Sequence, residues 1–253
     1  MVVAPMTDGE EFLAKFDLAR SRTPEELQHL VDTIGDRLCG SLALRKVARS
    51  GKGLWKKYNE EIRPLALLLV GTRDVLCMPN LLEGKNYDAL IRVSSGSNDE
   101  ELLIEFTCAK DRKSGREDSI RMQVLNDTGR VNQLGRLTWQ GKKTNRRIHV
   151  EEETALKEHT LGRLRCSAIE RIEKKAQKDY RSTHVLVVTF DDYAVWSDEL
   201  ERLRSDVQSE VALPALPFGA FTFLAHLAQL CALCAKHPPS LVPRIQDARP
   251  LAG

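Results

Sequence analysis

The apolar positions of this chain fall into two periods, one helical and one alternating, and their order along the sequence predicts a mixed α/β domain. Phe12, Phe16 and Ala19 repeat at helical spacing behind Asp8, with Glu11 three residues after that cap, which predicts a helix over residues 8–20. A second helix is predicted from Thr23. Thr23 can cap it, Pro24 suits the first helical position, Glu26 completes a capping box, and Leu27, Leu30, Val31, Ile34 and Leu38 form its apolar stripe. A third begins near Gly53 with Leu54, Tyr58, Ile62, Leu65 and Leu69 on one face, and Pro64 must kink it or end it.

Strand-like segments follow. Short β pieces are predicted at Val75 to Met78, Tyr87 to Val93 and Leu102 to Ala109, the last two separated by a Gly/Ser/Asn turn. Residues 111–118 read as a charged loop. Residues 131–139 and 147–150 flank a hairpin whose tip is basic. A long helix from about Glu152 to Tyr180 turns Leu156, Leu161, Leu164, Ala168, Ile169, Ile172 and Ala176 inward. The β-branched run of residues 183–190 is long enough for a central strand covered on both faces. Residues 217–235 are uncharged and apolar all round, which predicts a docked C-terminal helix or a dimer contact; His226 and Gln229 argue against a bilayer span.

Three divisions emerge: a helical N-terminal extension over 1–50, an α/β core over 51–195, and C-terminal helices with a loose tail over 196–253. At 253 residues and 42% hydrophobic, the chain can bury one substantial core. Its net charge of +2 advertises no polyanion partner, so any nucleic-acid site must be a local patch. Six scattered cysteines lack zinc-ligand spacing and read as reduced, mostly buried thiols. With no basic leader followed by an apolar run at its start, the expectation is a cytoplasmic protein without a membrane partner.

The candidate chemistry lies in two acids on neighbouring strands, Asp88 and Glu105. Carboxylates facing each other across a hairpin can share a hard divalent cation, Mg²⁺ or Mn²⁺, and leave positions for water and phosphate. Glu105 sits inside Leu-Leu-Ile-Glu-Phe-Thr-Cys-Ala, where burying an unmatched carboxylate costs several kcal/mol. Glu61, beside the Tyr58, Ile62 and Leu65 stripe, is a third metal-ligand candidate. Lys142, Lys143, Arg146 and Arg147 at the hairpin tip are candidates for gripping a phosphate backbone, with Trp139 near enough to stack a base.

An acid in the first core helix, one in the second strand and one in the third resemble the PD-(D/E)XK phosphodiesterase superfamily, the restriction-endonuclease-like nucleases. Asn86-Tyr87-Asp88 stands where that family has its Pro-Asp, and Glu105-Phe106-Thr107 where it has (D/E)-X-K. The resemblance covers roughly residues 50 to 192. It implies a mixed central sheet flanked by helices, Mg²⁺ or Mn²⁺ on the acids, and hydrolysis of a nucleic-acid phosphodiester, DNA in preference to RNA. Thr107 departs from the pattern, because a hydroxyl cannot supply the charge of the family's lysine. Lys110, just past the strand, or Arg171, Lys174 and Lys175 on the long helix are the cations able to replace it. Alternation turns Glu105, Thr107 and Ala109 to one face and Lys110 to the other. The catalytic candidates are Asp88, Glu105, Lys110 and Lys175, with Lys110 reaching the face of Glu105 only through a bulge in the strand. The alternative is a catalytically silent nuclease-like module that binds nucleic acid or protein, with a homodimer through 217–235.

Overall fold

The computed structural model describes residues 8–49, 52–82, 85–95, 98–109, 120, 123–124, 136–141, 147–151, 157–178, 180, 183–190, 197–210 and 220–225. Helices come first: α1 (Asp8–Ala14), α2 (Pro24–Gly40), α3 (Leu42–Arg49), α4 (Gly53–Lys57), a π-helical turn (Tyr58–Ile62) and α5 (Arg63–Leu68). Strands β1 (Val75–Pro79), β2 (Ala89–Ser95), β3 (Asn98–Cys108), β4 (Arg136–Gln140) and β5 (Arg147–Glu151) follow, then α6 (Lys157–Ala176), β6 (His184–Phe190), α7 (Ser197–Glu210) and β7 (Ala220–Ala225).

Five strands make one mixed sheet in the order β1-β2-β3-β6-β7, while β4 and β5 pair separately as a hairpin. The β1–β2 and β2–β3 pairings are antiparallel, and β3–β6 and β6–β7 are parallel. Helices cover both faces. Ile104, Phe106 and Val187 join Leu13, Leu27, Ile34, Trp55 and Ile62 in one buried cluster under the N-terminal helices. Residues one step along the same strands point the other way: Leu186, Val188 and Ala109 pack with Ala168 and Ile172 of α6 and Leu203 and Val207 of α7.

Local chemistry explains several boundaries. The capping box forms as its spacing predicts, with the Glu26 N–H donating to Thr23 Oγ1 at 3.2 Å and the Thr23 N–H to Glu26 Oε2 at 3.0 Å. The first helix stops at Ala14, short of residue 20, and Asp17 turns the chain with φ 43°, a left-handed value no helix continues through. Pro64 neither ends nor sharply breaks its helix. Proline removes the bond to the Glu60 carbonyl and crowds it, and the five-residue π turn just before α5 widens the backbone there. Arg22 closes the free edge of β1: its backbone exchanges hydrogen bonds of 2.9 and 2.8 Å with Cys77, and its buried guanidinium donates to the Phe16, Asp17 and Arg20 carbonyls.

One expectation is overturned. Residues 220–225, inside the stretch read as an apolar helix and dimer contact, form β7 and pair in parallel with β6. Phe221, Thr222 and Phe223 are strand formers, and the open edge of β6 offers a ladder of backbone groups that a helix could not satisfy. The rest of 217–235 lies outside the described residues. The cysteines also differ from expectation: Cys77 is buried and Cys108 half-buried, but Cys39 and Cys166 are exposed. No helix among the described residues is long and apolar enough to cross a membrane.

Ile104 lies where the sheet meets the N-terminal helices and is 1% exposed, whereas Leu76 on the edge strand is 43% exposed. Urea unfolding is expected to show a loss of about 2–5 kcal/mol for Ile104→Ala and less than about 0.5 kcal/mol for Leu76→Ala.

Candidate active site

The site is built where β2 and β3 part company. Running backwards, β2 ends at Ala89, and Asp88 carries the register with β1 one residue further, its carbonyl accepting from the Asn80 N–H at 2.8 Å. Its neighbour β3 continues to Cys108 beside β6. The Asp88 N–H still reaches the Ile104 carbonyl at 2.7 Å, but the next donor of β3, the Phe106 N–H, has no strand partner on that side. Asp88 supplies one with its side chain, Oδ2 accepting at 2.7 Å. The carboxylate thus takes the place of a backbone carbonyl at the fork of the sheet.

Glu105 points to the α6 face and is 4% exposed. Its carboxylate is matched from one direction. Lys175, in the last turn of α6, donates to Oε1 in a close ion pair, the Tyr180 hydroxyl donates to the same oxygen at 3.2 Å, and Lys178 Nζ lies 3.6 Å from it. Burial and the neighbouring Glu105 charge both push the Tyr180 hydroxyl upward, which keeps it a neutral donor. The Tyr180 ring in turn meets His184 edge-on, with centroids 5.0 Å apart. Asp88 is shifted upward by burial first and by Glu105 second, with the Phe106 N–H, Lys175 and Lys57 opposing.

Glu61 approaches Asp88 from the other layer. It sits in the π turn, whose neighbours Tyr58 and Ile62 belong to the N-terminal cluster, and its side chain is 15% exposed against 57% for Glu60. Burial, then the Asp88 charge, pushes its carboxyl up to about 7, and Lys57, 3.4 Å away, opposes that shift. Lys57 also reaches the Asn80 carbonyl at 3.3 Å, tying the π turn to the loop that presents Asp88.

Of the residues named from sequence, Asp88, Glu105 and Lys175 come together, and Glu61 joins Asp88 from the opposite face. Lys110, Lys142, Lys143 and Arg146 lie outside the described residues; Arg147 is exposed at the start of β5. Tyr180, Lys178 and Lys57 escaped the sequence reading. Lys57 carried a signal, the i,i+4 spacing to Glu61, whereas Tyr180 reaches Glu105 only because α6 folds back over the sheet.

The donor set suits a hard cation, since both acids offer oxygen. Asp88 uses Oδ2 and Glu105 uses Oε1, so among the described residues each keeps one oxygen that no donor holds. No group of three or more His, Cys, Asp or Glu side chains among the described residues gathers closely enough to hold a metal. A cleft of about 620 Å³ opens elsewhere, between Phe12, Phe16, Arg37 and Leu44, and contains none of these acids.

No family model, no curated protein and no solved structure matches this chain. The arrangement of side chains at the fork is therefore what a functional reading must stand on.

Glu61 gives a pH test. Its folded value of about 7 exceeds its ordinary 4.5, so the folded state holds a proton that the unfolded state has lost, and stability falls as pH rises through that window. Glu61→Gln is expected to flatten this decline, raising Tm relative to the parent at about pH 8 and not at about pH 4, by thermal melts across the range.

Proposed function

We propose that this chain is a divergent restriction-endonuclease-like phosphodiesterase, hydrolysing nucleic acid, DNA in preference to RNA, with Mg²⁺ or Mn²⁺ held by Asp88 and Glu105. The observation that carries this reading is the meeting of Lys175 with Glu105 across from Asp88. Two acids and a lysine are the minimal charge set for the reaction, and here α6 contributes the cation that Thr107 cannot. A bound divalent ion would supply Lewis acidity toward water and phosphate.

The chain's own groups divide the remaining work. The Phe106 N–H and the Tyr180 hydroxyl hold the two carboxylates in fixed orientations, which spares reorganisation when a ligand arrives. Lys175 brings a positive charge to the place where negative charge grows on the phosphoryl oxygens. Arg147, exposed on the separate β4–β5 hairpin, fits a role in gripping the backbone outside the reacting centre.

A second reading is favoured by one observation: no group of three or more His, Cys, Asp or Glu side chains among the described residues gathers closely enough to hold a metal. On that reading the same fold is a catalytically silent module for binding nucleic acid or protein.

Incubation of the purified protein with linear DNA or RNA and Mg²⁺ or Mn²⁺ separates the two. Cleavage is expected, falling by about 100-fold or more in Asp88→Asn, Glu105→Gln and Lys175→Gln, with Lys175→Arg retaining part of it and circular dichroism unchanged. Binding without cleavage in both ions supports the silent module instead.

A further inference from the structure

The turn after α6 carries more positive charge than Glu105 needs. A carboxylate oxygen accepts about two hydrogen bonds in its plane, and Lys175 and Tyr180 fill both at Oε1. Lys178, at 3.6 Å, stands outside hydrogen-bond range of the same atom. One ammonium already balances Glu105. Lys178 pairs with the same acid by charge alone, without a hydrogen bond, and its side chain is 49% exposed where that of Lys175 is 22% exposed.

Its base is nevertheless fixed. The Lys178 N–H donates to the Lys175 carbonyl at 2.9 Å, and the Lys178 carbonyl accepts from the Tyr180 N–H at 3.1 Å, a tight turn directly past the helix. The Tyr180 ring lies under the ammonium, 6.0 Å from centroid to Nζ. A cation anchored at its backbone, with its ammonium over an aromatic ring and its side chain half exposed, is arranged to receive an anion.

We propose that Lys178 is a substrate-binding residue that takes a non-bridging oxygen of a nucleic-acid phosphate at the fork, beside Lys175, which stays on Glu105. This rests on the phosphodiesterase reading and adds the group that seats the substrate. The ligand class is a phosphodiester anion, bound through charge and without regard to base.

The test uses the full chain and a fluorescent duplex DNA oligonucleotide, with Ca²⁺ in place of Mg²⁺, titrated between about 50 and 200 mM salt. Lys178→Gln is expected to weaken binding about tenfold at the low end and to reduce the slope of log affinity against log salt by about one, while Lys178→Arg keeps both. Lys46→Gln removes an exposed charge from α3, in the opposite layer, and is expected to match the parent. A parental slope in Lys178→Gln, or an equal loss in Lys46→Gln, overturns the assignment and leaves the phosphodiesterase reading standing. A parent protein that binds no oligonucleotide at any salt overturns both.

Discussion

A carboxylate buried in the middle of a sheet has to be matched, and the matching of Glu105 organises one whole layer of this protein. Removing an unmatched charge from water costs several kcal/mol even after relaxation. Glu105, 4% exposed in β3, meets that constraint with the end of α6 and the turn that follows it. Lys175 and Tyr180 converge on one oxygen, and Tyr180 then packs on His184 at the start of β6. The path of the chain from α6 into the central strand is thus pinned to a single acid. What satisfies the fold also concentrates charge at one point.

The fork between β2 and β3 adds the second acid by a different route. Asp88 is where the strand pairing gives out, and its side chain completes the ladder by accepting from the Phe106 N–H. That bond holds Asp88 close enough to Glu105 for the Glu105 charge to push the Asp88 carboxyl upward, after burial. On the far side the π turn directs Glu61 inward, where Lys57 at the end of α4 pairs with it. Each face of the sheet therefore sends one acid and one lysine toward Asp88, Glu61 with Lys57 from the N-terminal helices and Glu105 with Lys175 from the α6 layer. A protonated Glu61 lowers the negative charge around Asp88, which makes the coexistence of three acids tolerable near neutrality.

The periodicity of apolar residues was enough to locate most elements, because burial of a stripe or an alternating face is a local property of the sequence. The Thr23 capping box, the Glu105 strand and the central strand at 184–190 all form where their patterns predict. Asp88 and Glu105 could be singled out for the same reason: an acid inside an apolar strand is conspicuous without knowing what surrounds it. The run at 217–235 misled, since an apolar segment with small residues suits a helix or a strand equally by composition. The choice for residues 220–225 fell to the open edge of β6, which the local sequence does not reveal.

Which cation serves Glu105 was likewise undecidable from the chain alone. Arg171, Lys174 and Lys175 lie within about one turn, and helical spacing puts Arg171 on one face with each lysine, so spacing alone does not say which of the three meets the acid. Packing of Ala168 and Ile172 against Leu186 and Val188 sets the rotation of α6, and that rotation brings Lys175 to the acid. The sequence by itself determined most of the elements and made Glu105, inside β3, and Asp88, just before β2, conspicuous, because those features depend on neighbours within a few residues. Which lysine meets Glu105, the contacts of Tyr180 and Lys178 with it, and the approach of Glu61 to Asp88 were decided only in the tertiary structure, because each depends on contacts between residues far apart along the chain.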